Sequence, residues 1–138
     1  ALRDRLQSEL EERIPALEVN GKGAERLPNT LNLAVHGIEG EAMLYELSRA
    51  GICASSGSAC TSGTLDPSHV LQAMQVPLTA IHGSLRISLS RYSSEEDVEQ
   101  IIAVLPKIVA SLRKISPYWD DAQNCLSIEN PYRPGGPE

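Results

Sequence analysis

The sequence lacks a hydrophobic run long enough to cross a bilayer, and its first ten residues, ALRDRLQSEL, lack the apolar core of a secretory signal. Charged residues recur every few positions in that segment instead. These absences predict a soluble, cytoplasmic protein with no membrane partner.

A basic stripe is also missing. The chain has 12 Lys and Arg against 18 Asp and Glu, which gives a formal net charge of -6. Nucleic-acid binding depends on cations that neutralise phosphates. The sequence therefore predicts no nucleic-acid partner.

Cysteine is scarce and irregularly spaced, and no CxxC pair occurs. An odd number at unequal spacings excludes a complete disulfide framework and leaves at least one free thiol. The histidines are widely separated and have no cysteine pair beside them, so no zinc site is expected. The residues concerned are Cys53, Cys60, Cys125, His36, His69 and His82.

A chain of 138 residues can close one ordinary hydrophobic core. Apolar residues at helical spacing or in alternation predict its elements. The helices are expected over 2–14, 40–50, 68–74 and 93–112, and the strands over 31–35, 52–54 and 84–89. This order predicts an α+β domain, with a mostly antiparallel sheet covered by helices on one face.

Three details mark the ends of these elements. Gly51 is expected in a left-handed conformation after the second helix. Ser93 and Glu96 have the spacing of a capping box for the last helix. Residues 120–138 are rich in proline and glycine towards their end, so we expect a domain over 1–119 and a flexible tail over 120–138.

The most unusual segment is the run of small polar residues around Cys60, Ser55-Ser56-Gly57-Ser58-Ala59-Cys60-Thr61-Ser62-Gly63-Thr64. Such a run has no bulky anchors, which favours a mobile tether for a reactive thiol. Free cysteine is also among the most buried residue types, so a simple packing role for Cys60 stays open on these grounds. The nearest charge, Asp66, would raise the thiol pKa rather than lower it.

Arg86 is expected on the polar side of the strand 84–89, because Leu85, Ile87 and Leu89 alternate with it. Taken alone, that position is compatible with an ordinary surface salt bridge. From the residues alone, this salt bridge is the favoured interpretation.

Five segments resemble the cysteine desulfurases of the NifS and IscS type, which are fold-type I pyridoxal phosphate enzymes of the class V aminotransferase family. They are ASSGSACTSGTLDPSHVL (54–71), LPNTLNLA (27–34), IEGEAMLYEL (38–47), HGSLRISLSRYSSEEDVEQ (82–100) and SPYW (116–119). SLSR at 88–91 and the SPYW ending favour the NifS branch. The resemblance implies that residues 1–119 are the C-terminal small domain, with the large cofactor-binding domain absent from this chain.

The same resemblance implies roles for two residues. Cys60 would be the nucleophile that accepts sulfur from L-cysteine as a persulfide, and Arg86 would bind the substrate carboxylate. Pyridoxal phosphate would be the cofactor, but Lys22, Lys107 and Lys114 lack the family's SxHK context. This piece is therefore expected to be inactive alone.

The resemblance also implies partners. The Cys60 persulfide could contact a transient iron-sulfur cluster, which makes Cys60 the one candidate metal contact. A NifU-like or IscU-like scaffold would receive the sulfur, in the service of nitrogenase maturation, and the full-length protein would be a homodimer.

Two other functions remain open from the sequence. One is a non-catalytic domain that binds a partner, and the other is a stand-alone sulfurtransferase of the rhodanese type, for which the loop is a poor anion cradle. Cys53 is expected in the core, and Cys125 is expected to be an incidental thiol in the tail.

Overall fold

The central sheet of the computed structural model has three antiparallel strands in the order β1-β2-β3. The structure describes residues 1–56 and 68–126, apart from the side chains of Leu78 and Thr79. Its elements are α1 (Leu2–Arg13), β1 (Leu17–Val19), β2 (Thr30–Val35), α2 (Gly40–Arg49), α3 (His69–Ala73), α4 (Leu78–Ile81), β3 (Ser84–Ser88), α5 (Glu95–Lys114), β4 (Trp119–Asp120) and β5 (Cys125–Leu126).

Alternation along the middle of β2 and β3 gives the sheet two different faces there. Leu31 and Leu33 of β2 and Leu85 and Ile87 of β3 are buried on one face, where Leu33 is directly opposite Leu85. Asn32 is opposite Arg86 on the other face, and both side chains are half-buried. Successive side chains of a strand point to opposite faces, so the sequence pattern itself separates the core from this polar face.

The core lies between the apolar face of the sheet and three helices, α1, α2 and α5. Leu10 of α1, Met43 of α2 and Leu105 of α5 are fully buried there. Helix α5 runs through Pro106 as one element, because its apolar spacing keeps one side in the core. The predicted α+β class, with helices covering one face of an antiparallel sheet, is confirmed.

The end of α2 also matches the expectation, since Gly51 has a φ of +78°. The capping box of α5 is one residue later than predicted. Ser94 Oγ accepts a hydrogen bond from Asp97 N, and Asp97 carboxylate accepts one from Ser94 N. Ser93 Oγ instead accepts from Ser90 N in the preceding turn.

Short elements account for most differences from the predicted order. Strand β1 and helix α4 were not predicted. The predicted strand 52–54 is not formed, and a single bridge occurs instead at the next residue, Ser55. The antiparallel pair β4–β5 spans residues 119–126, where the sequence analysis places the start of a flexible tail. Residues 127–138 lie outside the described part of the chain.

Arg113 joins the β4–β5 hairpin to the sheet. Its Nε and Nη2 donate to the carbonyl oxygen of His36 at 3.2 and 3.0 Å, and Nη2 also donates to Ala16 O at 3.3 Å. The guanidinium lies 3.7 Å from the centroid of the Trp119 ring. The buried guanidinium thus connects three segments, through hydrogen bonds to the carbonyl oxygens of Ala16 and His36 and through stacking on Trp119.

Candidate functional site

Arg86 lies at the centre of β3, and its backbone is bonded to the segment that leads into the Cys60 loop. Arg86 N donates to Ser55 O at 2.6 Å, and Ser55 N donates to Arg86 O at 3.1 Å. These two bonds form an antiparallel bridge. They place Ser55, five residues before Cys60, directly beside the arginine.

The guanidinium of Arg86 has no hydrogen-bond or ion-pair partner among residues 1–56 and 68–126. Glu18 is on the same sheet face but its carboxylate is 3.1 Å from His36 Nε2. The alternative of a surface salt bridge for Arg86 therefore finds no acid in the described chain. A half-buried, unpaired guanidinium is suited to bind an anion from outside this part of the protein.

Cys60 and most of the predicted loop 55–65 lie outside the described residues, as does Asp66. Its roles as nucleophile and as contact for an iron-sulfur cluster therefore stay predictions. What the structure contributes is the position of the loop's first residue, Ser55, next to Arg86.

A row of polar residues crosses the sheet at Arg86, and two of its members, Asn20 and Asn32, were not predicted as site residues. We call it the polar row: Asn20, Asn32, Arg86 and Ser55. Asn20 Nδ2 donates to Asn32 Oδ1 at 2.8 Å. The only indication in the sequence is that Asn32 occupies an outward position of the strand TLNLAV. Any polar residue would fit the apolar–polar alternation at that position, so the pattern does not single out asparagine.

Cys53 is exposed, so its predicted place in the core is wrong. Its neighbours Ile52 and Ala54 pack against the core. Cys53 lies two residues before Ser55, whose backbone is paired with that of Arg86. Cys125 is exposed as well, in β5, with its Sγ 3.9 Å from Gln123 Oε1.

The lysines do not fit the Schiff base that pyridoxal phosphate requires. Lys22 Nζ is 2.6 Å from Glu11 Oε1 of α1. Lys107 and Lys114 are exposed on α5, on the opposite side of the sheet from Arg86.

In the described ranges, no group of three or more His, Cys, Asp and Glu side chains is arranged to hold a metal ion. His36 is only 7% exposed and is bonded to Glu18. None of the helices in those ranges is both long and apolar enough to span a bilayer.

The family model of class-V aminotransferases matches residues 1–101. Among curated proteins, the cysteine desulfurase of Trichormus azollae is 53% identical over 128 residues, covering 93% of this chain and 32% of the relative. The cysteine desulfurase of Gluconacetobacter diazotrophicus is 57% identical over 122 residues, with 88% and 30% covered. Cysteine desulfurase NifS of Azotobacter vinelandii is 55% identical over 119 residues, with 86% and 30% covered.

Solved structures give the same result. A NifS-like protein from Rickettsia africae superposes with a TM-score of 0.67 at 30% identity, covering 78% of this chain and 27% of the other. A second NifS-like protein gives a TM-score of 0.66 at 31% identity, with 80% and 27% covered. The chain spans about a third of the length of the relatives that it matches. With a family model matched over most of its length, the chain belongs to the class-V aminotransferase family.

Proposed function

We propose that the complete protein containing this chain is a cysteine desulfurase. The observation that carries the proposal is the similarity of at least 86% of the chain to proteins of that name, at 53–57% identity. The position of Arg86 supports it, since a guanidinium with no partner in the described part of the chain lies beside the residue that begins the Cys60 segment. Residues 1–119 are then a small domain that completes an active site with the remainder of the protein.

In this proposal Cys60 is the sulfur acceptor. Its thiolate attacks the sulfur of L-cysteine, an S–S bond forms, and the C–S bond of the substrate breaks. The electron pair of the broken bond stays with the carbon, which takes up a proton. One thiol and one L-cysteine thus give one persulfide and one alanine, and no external oxidant is required.

Arg86 holds the substrate by its carboxylate. A guanidinium presents two parallel N–H donors to a carboxylate, which fixes orientation as well as position. The two backbone bonds to Ser55 keep the arginine and the first residue of the acceptor segment in a constant relation. A substrate carboxylate bound at Arg86 would therefore lie within reach of the segment that carries the nucleophile.

The cofactor would come from the rest of the protein. Class V aminotransferase relatives support pyridoxal phosphate as that cofactor, and the lysines of this chain do not fit its Schiff base. The cofactor site then belongs to the two thirds of the relatives' length that this chain does not span. This chain contributes the acceptor thiol and the carboxylate site.

We further propose that the Cys60 persulfide passes its sulfur to an iron-sulfur scaffold of the NifU or IscU type, with transient contact to the cluster. Nitrogenase maturation is the proposed setting, and the complete protein is proposed to be a cytoplasmic homodimer. The support for these finer roles is the resemblance of residues 88–91 and 116–119 to the NifS branch.

The test uses the complete protein incubated with L-cysteine, followed by intact mass and peptide mapping. We expect a gain of one sulfur atom on Cys60, lost in Cys60→Ser and retained in Cys53→Ser and Cys125→Ser. Arg86→Lys should raise the KM for L-cysteine by roughly tenfold or more, because a lysine cannot form the bidentate pair. Alanine production at the normal rate by Cys60→Ser, or sulfur found only on Cys125, would contradict the proposal.

A further inference from the structure

We propose that Asn32 is a second donor to the carboxylate that Arg86 binds, and that Asn20 holds the Asn32 amide in the orientation this requires. The inference rests on the proposed function, because it concerns the same substrate group. It assigns a positioning and specificity role to two residues of the polar row.

The backbone pattern puts Asn32 close to Arg86. Both backbone groups of Arg86 bond to Ser55 on one side, and Asn32 O accepts from Asn20 N at 2.9 Å on the other side. Asn32 and Arg86 are directly opposite in the register, so they form a pair without hydrogen bonds between them. In such pairs the Cα atoms are only about 4.5 Å apart and the side chains are closest.

The neighbouring side chain sets which end of the Asn32 amide is available. Asn20 Nδ2 donates to Asn32 Oδ1 at 2.8 Å, so the oxygen is engaged on the side of β1. The two N–H groups of Asn32 Nδ2 have no acceptor among residues 1–56 and 68–126. As far as the chain is described, these N–H groups are the donors of the row that a ligand at Arg86 could use.

The combination of a guanidinium and a fixed amide has a definite chemical preference. Both groups supply N–H donors, and no acid of the described chain pairs with the guanidinium. A carboxylate has about four acceptor positions, which two N–H groups of the arginine do not fill. Asn32 can donate to one that remains, so the row selects ligands that carry a carboxylate.

The experiment measures alanine formation by the complete protein and its inhibition by two thiols. One is 3-mercaptopropionate, which has the carboxylate and lacks the amine, and the other is cysteamine, which has the amine and lacks the carboxylate. Asn32→Ala should raise the KM for L-cysteine and the inhibition constant of 3-mercaptopropionate by roughly tenfold, as expected for one lost hydrogen bond to a charged group. The inhibition constant of cysteamine should change less than twofold.

Three further variants sharpen the test. Asn32→Asp places an anion opposite Arg86 and should weaken 3-mercaptopropionate more than Asn32→Ala does, with no loss for cysteamine. Asn20→Ala releases the amide and should give a smaller rise with the same selectivity, which also covers the case in which an Asn32 variant does not fold. Thr30→Ala, on the same face and two residues away, is the matched control and should behave as wild type.

The outcomes separate this inference from the proposed function. Equal weakening of both thiols by Asn32→Ala would indicate a general structural role and overturn the inference. So would wild-type constants in Asn32→Ala and Asn20→Ala while Arg86→Ala still weakens 3-mercaptopropionate, and the proposed role of Arg86 would then stand. If Arg86→Ala itself leaves 3-mercaptopropionate binding unchanged, the proposed carboxylate site is wrong and the inference falls with it.

Discussion

At Gly83 the backbone passes so close to the end of β2 that a side chain has no room. A Cβ atom there would overlap Val35 O and lie 3.1 Å from Ile38 O, and both neighbours are backbone atoms. Gly83 O also accepts a hydrogen bond from Val35 N at 3.0 Å. The close approach thus keeps β2 paired to the residue just before β3.

Gly83→Ala should therefore destabilise the chain by at least about 2 kcal/mol, because backbone must move to relieve the overlap. The measurement is urea unfolding of the 138-residue chain. Gly23→Ala is the matched control, since its Cβ would meet nothing within 4 Å, and it should be neutral or slightly stabilising. Equal midpoints for the two variants would contradict the close approach.

Arg113 carries a charge where only 3% of its surface is exposed. Burial lowers the pKa of Arg113 to about 10, so the guanidinium remains charged at neutral pH. Arg113→Lys should cost about 2 kcal/mol or more, because an ammonium cannot donate to His36 O and Ala16 O and also stack on Trp119. Thermal or urea unfolding measures this, and Lys114→Gln, exposed next to it, should have little effect.

The ion pair of Glu11 and Lys22 predicts a pH dependence. The hydrogen bond from Lys22 holds the pKa of Glu11 below its ordinary value. A lowered folded pKa means that the contribution to stability is complete above the ordinary pKa of about 4.3 and is lost as the pH falls through the lowered value. Since Lys22 is 62% exposed, the contribution is only about half a kcal/mol.

Lys22→Gln should accordingly be slightly less stable than wild type at pH 7, and the difference should be smaller at about pH 3. Urea unfolding at both pH values measures the difference. Lys107→Gln, whose lysine makes no ion pair within the described residues, should match wild type at both. A difference for Lys22→Gln that was as large at low pH would argue against the pair as its cause.

At the site, alternation along the strand was enough to predict that Arg86 leaves the core. It could not predict that Asn32 and Ser55 flank Arg86, because register depends on pairing between distant segments. Cys53 was misplaced for a related reason. A short apolar stretch such as Ile52–Ala54 does not reveal which of its residues faces inward.

Among the elements, α5 depends on a start signal that the sequence leaves ambiguous, since Ser93 and Ser94 are adjacent. Ser94→Ala should cost about 1 kcal/mol by removing the acceptor for Asp97 N. Glu96→Ala should lower the stability by only a few tenths of a kcal/mol. The Glu96 carboxylate interacts favourably with the helix dipole but does not cap the helix. Urea unfolding of both variants measures the two losses of stability. A larger loss for Glu96→Ala would favour the predicted capping box of Ser93 and Glu96.

Element length decided which elements could be predicted. The 20-residue α5 and the 6-residue β2 repeat their pattern enough times to be unambiguous. Strand β1 has three residues, and the two strands of the hairpin have two each. Strands this short form because a partner strand is available, and their own sequences show no recognisable pattern. Helix α4 is a single turn of four residues after Pro77, which is too short to show a helical pattern in the sequence.

For the whole molecule, the two faces of the sheet differ in what covers them. Helices α1, α2 and α5 cover the apolar face, and the proposed small-domain role assigns the polar face to the remaining two thirds of the protein. Exposed Cys53 lies two residues before the bridge of Ser55 to Arg86, whereas Cys125 lies in the hairpin that contacts α5. The two thiols therefore sample different parts of the same chain.

In a Cys60→Ser background, iodoacetamide should modify Cys53 at least several-fold more slowly in the complete protein than in the 138-residue chain. The reason is that the added domain shields the polar face from the reagent. Cys125 should react at similar rates in both, which makes it the internal control. Peptide mass spectrometry gives both rates, and an unchanged rate at Cys53 would place the additional domain elsewhere.

The bridge between Ser55 and Arg86 has a consequence for self-association. Alternate residues of β3 direct their N–H and C=O groups away from β2, and Arg86 is the middle one of the three, between Ser84 and Ser88. Ser55 occupies both groups of Arg86, so a strand from another molecule cannot add to β3 at that point. The same short contact that joins Ser55 to Arg86 thus prevents strand addition at the middle of the outer edge of β3.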